Sequence, residues 1–205
     1  MILAPRKREQ VIPLPVVLIS TVGGKDGVRN IAPWSNITPI LRPFDDIVLA
    51  SWIKRDTLNN IRETGEFVVN VPPVELVEAV MICSRNYPPE VDEFEEASLN
   101  PRLSQKIQTP GIEGCLAWAE CTLVEEISRK HYSLVIGKVV HLEVDERFFN
   151  EAGEMDYERA KPLSVMLGEH GMWFTRPVFA GRYADYTEMF LGKKDEAPAF
   201  TGENG

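Results

Sequence analysis

The strongest constraint in this chain is that its apolar residues come in short β-branched runs cut apart by turn formers. Val16-Val17-Leu18-Ile19-Ser20-Thr21-Val22 follows Pro15 and ends at Gly23-Gly24-Lys25-Asp26-Gly27. A run of that length is too short for a typical helix, and the glycines beyond it favour a hairpin. The return arm spans Val28 to Ser35, and because Pro33 cannot donate to a ladder, this arm belongs at a sheet edge or leaves the sheet near the proline. Ile47 to Ile53 is apolar almost throughout and reads as a strand covered on both faces.

The pattern then becomes helical. Asp56 to Gly65 has an N-cap candidate in Asp56, a terminating glycine, and Leu58 and Ile61 on one face. Glu66 to Val71 reads as a strand stopped by Pro72-Pro73, and Val74 to Cys83 as a helix. Between Ser84 and Gly114 prolines and charges break the pattern, apart from a short helix expected at Asp92 to Leu99. This stretch reads as an excursion over the sheet. Ala117 to Val124 alternates with period two, as expected of a strand with one face in the core. A break is expected at Glu125 to Lys130, then a longer strand from His131 to Val144, where Gly137 suggests a bulge or a close approach. Two apolar patches follow, at Pro162 to Leu167 and around Met172-Trp173-Phe174.

Six or so short strands with only short helices predict a mainly β protein. Closing the antiparallel sheet into a barrel is the economical way to remove its edges. Length and the absence of repeats at solenoid periods indicate a single domain over residues 1–192, with 193–205 a solvated C-terminal tail.

Composition narrows the function. A net charge of −9 would repel a polyphosphate backbone, so nucleic acid is not an expected partner. The basic trio Arg6, Lys7 and Arg8 reads as a solvated fray. Three cysteines, Cys83, Cys115 and Cys121, form no C-x-x-C pair and fit reduced cytosol. Neither a secretory leader nor an apolar run of membrane-spanning length is evident, so a cytoplasmic protein with no membrane partner is expected, and the sequon Asn36-Ile37-Thr38 reads as chance. His131, His141 and His170 are not spaced as a metal set, so no metal site is expected. Signatures of classical dinucleotide, NTPase, hydrolase and zincin sites are missing.

Two stretches could carry chemistry. In Ser51-Trp52-Ile53-Lys54-Arg55-Asp56-Thr57, two cations and two hydroxyls precede a helix start, whose unpaired N–H groups and partial positive charge can hold a phosphate. The other reading is that Asp56 simply caps the helix and that Lys54 and Arg55 are solvated. In Arg29 to Pro39, backbone amides freed by Pro33, together with Ser35 and Asn36, could bond the polar edge of a flat ring. Trp34 equally fits a core anchor.

Taken in order, V-V-L-I-S-T, G-G-K-D-G-V-R-N-I-A-P-W-S-N and S-W-I-K-R-D-T-L-N-N-I-R-E-T-G-E-F-V-V-N-V resemble the flavin-reductase-like family of FMN-binding split barrels. The likeness is densest from Pro15 to Val71. It continues more loosely through Asp92-Glu93-Phe94-Glu95, His131 to Val139 and Lys161-Pro162-Leu163. The resemblance implies a homodimeric Greek-key split β-barrel with FMN near the subunit interface. Asn30, Ala32, Pro33, Trp34, Ser35 and Asn36 would line the isoalloxazine and ribityl chain, and Ser51, Arg55 and Thr57 would surround the phosphate, with Trp52 and Lys54 in the same junction. His131 matches a family histidine near which a nicotinamide can stack, and is the one catalytic candidate. Cys83 falls in a variable region and is read as packing.

The function so implied is reduction of bound FMN by NADH or NADPH, with electrons leaving as released flavin or passing to an acceptor such as ferric iron. Hydride transfer to flavin is the cofactor's chemistry, so few acid–base residues are expected. A flavoredoxin-like carrier passing electrons between redox proteins is the alternative, and an acidic surface suits such encounters. A monooxygenase partner fits the first reading, and a split barrel without cofactor is the third.

Overall fold

A computed structural model of the chain describes residues 11–40, 44–168, 170–178 and 180. The basic trio at Arg6 to Arg8 and the expected tail at 193–205 lie outside them. In chain order the elements are β1 Leu14–Pro15, β2 Val17–Val22, β3 Arg29–Trp34, β4 Ile37–Pro39, β5 Asp46–Trp52, α1 Asp56–Thr64, β6 Glu66–Val71, α2 Val77–Cys83 and α3 Glu93–Glu96. Then come β7 Pro101–Arg102, β8 Gly111–Ile112, β9 Ala117–Ser128, β10 Tyr132–Val144, α4 Tyr157–Ala160, β11 Ser164–Gly168 and β12 Gly171–Thr175.

Seven strands form one antiparallel sheet in the order β3-β2-β6-β9-β10-β5-β4. Its two edge strands are consecutive in the chain, joined only by Ser35 and Asn36. In a flat sheet six inter-strand spacings would separate those edges by about 29 Å. Two linking residues reach only about 11 Å. The sheet must therefore curl until its edges meet, which makes it a split barrel with its seam at Ser35-Asn36.

The period-two pattern sorts the strands onto two cores. Leu18 and Val68 face a cluster with Ile31, Val80, Phe94 and Trp118, under α2, α3 and the β11–β12 hairpin. Ile19 and Val69 face the opposite cluster with Leu49, Leu58, Ile61, Phe67 and Val135. The expected hairpin forms, with Gly27 at φ 71 donating its N–H to the Gly23 carbonyl at 3.0 Å. Pro33 sits on the edge strand β3, as its missing donor requires. Gly137 lies at a bulge, and a Cβ there would meet Phe67 Cζ at 2.5 Å.

Several local expectations fail for identifiable reasons. Arg55, in extended conformation, is the N-cap of α1 and no side chain caps the helix, so Asp56 is its first residue rather than its cap. The strand β5 is not covered on both faces: Ile47, Leu49 and Ser51 are buried while Trp52 is exposed. The opposite holds at the start of β9, where Ala117 to Cys121 are all buried because structure covers both sides of the sheet. The strand does not end at Glu125: after a bulge that leaves Val124 without a partner, β9 stays paired with β10 as far as Ser128. His131 lies in the turn before β10, not in the strand. The helix at Asp92 is shorter than expected, with the Asp92 side chain capping it by accepting from the Phe94 and Glu95 amides.

Buried polar side chains tie the excursion down. Asn70 donates to Leu18 O at 2.9 Å and Ser20 Oγ at 3.0 Å and accepts from the Ile112 amide at 2.8 Å. Glu120 accepts from the amides of Gln105 and Lys106, each at 2.7 Å.

Candidate active site

A cavity of about 260 Å³ opens at the seam between β3 and β4. Its walls bring together nearly all the residues singled out from the sequence. Asn30, Ala32, Pro33, Trp34, Ser35 and Asn36 come from the edge strand and the link, and Trp52, Arg55 and Thr57 from the β5–α1 junction. Trp34 has both of its expected roles, since it lines the cavity, packs on the inner core and donates from Nε1 to the Ala50 carbonyl at 2.9 Å. In return the Ala50 amide donates to the Asn36 carbonyl at 2.9 Å, which holds the seam closed.

Ser51 is not part of the lining. It points into the barrel wall, and its Oγ donates to the Trp52 carbonyl at 2.9 Å. Lys54 and His131 line an adjoining cavity of about 450 Å³, with Lys130 and Ile53. Trp52, Arg55 and Asn86 are common to both cavities, so the two form one continuous groove.

The sequence reading missed the far wall. Ser84, Arg85, Asn86 and Tyr87, directly after α2, line the first cavity, as do Asp56, Cys83 and Glu93. Arg85 and Asn86 lay in a segment that shows no periodicity, and only the run of polar residues between a helix and two prolines hints at a binding loop.

Beneath the cavity lies a polar network. Thr57 Oγ1 donates to Asn30 Oδ1 at 2.9 Å, as does Thr21 Oγ1 at 3.3 Å, and Asn60 Nδ2 donates to Thr21 Oγ1 at 3.1 Å. Asn30 Nδ2 donates to Glu93 Oε2 at 2.5 Å, and the Ile31 amide donates to the same oxygen at 2.6 Å. Burial pushes the Glu93 carboxyl up to about 7; the Ile31 amide opposes this, and nearby Asp56 and Asp92 add to it. Cys83 is pushed up to about 12, first by burial and then by the charge of Glu93, so it remains a thiol.

The lining suits an anionic, partly aromatic ligand. Arg55 and Arg85 have no acidic partner among the described residues. They line the same cavity as Asp56 and Thr57 at the uncapped start of α1, whose free N–H groups add positive potential. The Tyr87 hydroxyl is buried without a hydrogen-bond partner among the described residues, a costly state that a polar ligand would relieve. Trp34 and Trp52 supply aromatic surface. A flavin mononucleotide, with a flat ring edged by donors and acceptors and a phosphate tail, matches this donor set. No group of three or more metal-ligating side chains occurs among the described residues.

Comparison with known proteins agrees with the geometry. The model of the flavin reductase like domain matches residues 8–163. The chain belongs to that family. An uncharacterized protein of Methanothermobacter thermautotrophicus is 48% identical over 95% of this chain and 94% of its own length. Among solved structures, nitrilotriacetate monooxygenase component B from Bacillus cereus is 28% identical with a TM-score of 0.76, over 87% of this chain and 97% of the other. The flavoredoxin of Desulfovibrio vulgaris reaches a TM-score of 0.78 at 18% identity, over 90% of this chain and 98% of that one, and shows the shared fold. The curled seven-stranded sheet of this flavin reductase like domain is thus the split barrel of its family. No helix among its described residues is long and apolar enough to cross a membrane.

Proposed function

We propose that this flavin reductase like domain binds FMN in the seam cavity and acts as an NAD(P)H-dependent oxidoreductase. The observation that carries the reading is that two arginines without an acidic partner and a tyrosine hydroxyl without a hydrogen-bond partner among the described residues line one cavity with the uncapped start of α1 and Asn30 to Asn36. Bound flavin would supply the chemistry, by accepting a hydride and handing electrons on. The chain's own part is to bind and orient. Arg55, Arg85 and the first amides of α1 take the phosphate, while Ser35, Asn36 and the backbone of β3 meet the ring edge. Trp52 bounds the ring on the side that leads to His131, where the basic groove of Lys54, Lys130 and His131 receives the nicotinamide nucleotide.

The chain pairs with a second copy in this reading. Trp52 and Tyr132, partners across the β5–β10 ladder, are exposed, as are Val124 and Leu142, and such apolar surface is characteristic of an interface. The dimer would cover the mouth of the groove.

The test is the visible spectrum of the purified protein with FMN, before and after anaerobic addition of NADH and then NADPH. A yellow protein bleached by a nicotinamide at a catalytic rate is expected. A protein that takes up no FMN overturns the reading, and a yellow protein bleached only by a reduced protein partner replaces it with a flavoredoxin-like carrier.

A further inference from the structure

Glu93 is a buried carboxylate in the wall of the ligand cavity, and its position is set by chemistry rather than by packing. It is only 5% exposed, and two donors from β3, Asn30 Nδ2 and the Ile31 amide, converge on its Oε2. Because Nδ2 is thereby committed, Asn30 must turn Oδ1 toward Thr57 and Thr21. Glu93 therefore dictates which way the Asn30 amide faces across the floor of the site.

The surrounding charges disfavour an ionised Glu93. Asp92 caps its own helix, and Asp56 opens α1 on the other side. Asp26 and Glu63 line a neighbouring cavity whose wall Glu93 shares, with Lys25 paired to Glu63 at 3.9 Å. Arg29 is engaged by Asp92 at 2.6 Å and by Glu95 at 3.7 Å. On α2 the neighbour is the thiol of Cys83, and in the following loop the phenol of Tyr87. Among the described residues, Arg55 and Arg85 remain to balance the charge, and they line the same cavity that an anionic ligand would claim.

Filling the cavity therefore has two electrostatic effects on Glu93. It displaces the water that screens the carboxylate, and it commits the two arginines elsewhere; both favour the neutral acid. Protonation need not break the network, since the proton can reside on Oε1 while Oε2 keeps its two donors.

We propose that Glu93 is a positioning residue of the flavin pocket that takes up a proton from solvent when the pocket fills. The proposal rests on the FMN-binding reading. The proton-poised starting state, with the carboxyl already raised to about 7, makes the effect visible near neutrality.

Calorimetric titration in buffers of different ionisation enthalpy measures the proton count: riboflavin, which has no phosphate to titrate or to engage the arginines, isolates the displacement of water, and FMN, corrected for its own phosphate, adds the arginines' part. Uptake of about half a proton per flavin is expected near pH 7, and affinity should fall by up to about tenfold per pH unit above that. Glu93→Gln should abolish both effects, with flavin bound more weakly because the Asn30 amide loses its carboxylate partner. In the wild type, an infrared difference spectrum on flavin addition should gain a carboxylic-acid carbonyl band that the variant lacks. This band tests the proposal even if the variant folds poorly. Flavin binding with no proton uptake, or with the same uptake in both proteins, overturns the role of Glu93 alone. A wild type that binds neither FMN nor riboflavin overturns the FMN reading as well.

Discussion

Thr57 Oγ1 donates a 2.9 Å hydrogen bond to Asn30 Oδ1, joining the first turn of α1 to the edge strand β3. The bond fixes two walls of the cavity relative to each other. Thr57→Val keeps the shape but removes the donor, leaving Asn30 Oδ1 to Thr21 alone. A loss of about 1 kcal/mol in stability is expected, with FMN affinity lowered roughly fivefold, read by flavin fluorescence quenching. Asn30→Leu should be worse, since it also strips a donor from Glu93.

Charge reversal at the arginines separates phosphate binding from ring binding. Arg55→Glu and Arg85→Glu should each weaken FMN by about 100-fold, because a charge-assisted hydrogen bond becomes repulsion. Riboflavin affinity should change far less. Equal losses for both ligands would mean that the phosphate lies elsewhere.

Acid stability should depend on Glu126. Arg62 holds its carboxylate in a two-pronged pair, Nε to Oε2 at 2.8 Å and Nη2 to Oε1 at 2.6 Å, with Ser133 and Ser128 donating as well. These bonds, the Arg62 pair first, lower the carboxyl from 4.5 to about 2. Its contribution is present above the unfolded value and is lost as pH falls through the folded one. Glu126→Gln should cost about 1 kcal/mol at neutral pH, after allowance for partial exposure, and less below pH ~3. Denaturant midpoints across that range measure the difference.

Glu93 carries the opposite sign. Its carboxyl is raised in the folded state to about 7, so its favourable contribution is complete below the unfolded value near 4.5 and is lost as pH rises through about 7. The ligand-free protein should unfold at lower denaturant at pH 8 than at pH 5.5. Glu93→Gln should flatten that slope; an unchanged slope would assign it to other groups.

Gly137 is a packing requirement rather than a flexible point. A methyl there would press on the Phe67 ring at 2.5 Å and 2.9 Å, so Gly137→Ala should destabilise the fold by about 1–3 kcal/mol. Phe67→Leu in the same background should recover part of the loss, as thermal unfolding would reveal.

Local chemistry made much of this molecule legible beforehand. Short β-branched runs marked β2 and β6, alternation marked β9 and β10, the glycines between Gly23 and Gly27 marked the hairpin, and Gly65 at φ 72 marked the end of α1. Pro33 announced an edge strand because its backbone lacks a donor. The candidate site was half visible for the same reason. Asn30 to Asn36 and the Arg55–Thr57 junction each carry a local signature, and the structure brings them to one cavity.

Burial and partnership were not legible in the same way. Nothing between Ala117 and Cys121 says that both faces of β9 are covered, because that depends on which layers fold over it. Ser51, a hydroxyl beside two cations, matched a phosphate site by type but faces the barrel wall, since strand alternation decides its direction. The sequence by itself determined the short strands, the turns, the helix start after Arg55 and the cations near it, all set by interactions within a few residues. Only the tertiary structure decided that a seven-stranded sheet closes through two residues, that Arg85 and Arg55 line one cavity, and that Glu93 meets Asn30 across 63 positions. Those contacts are made by curling the sheet, and no local preference encodes the distance between its edges.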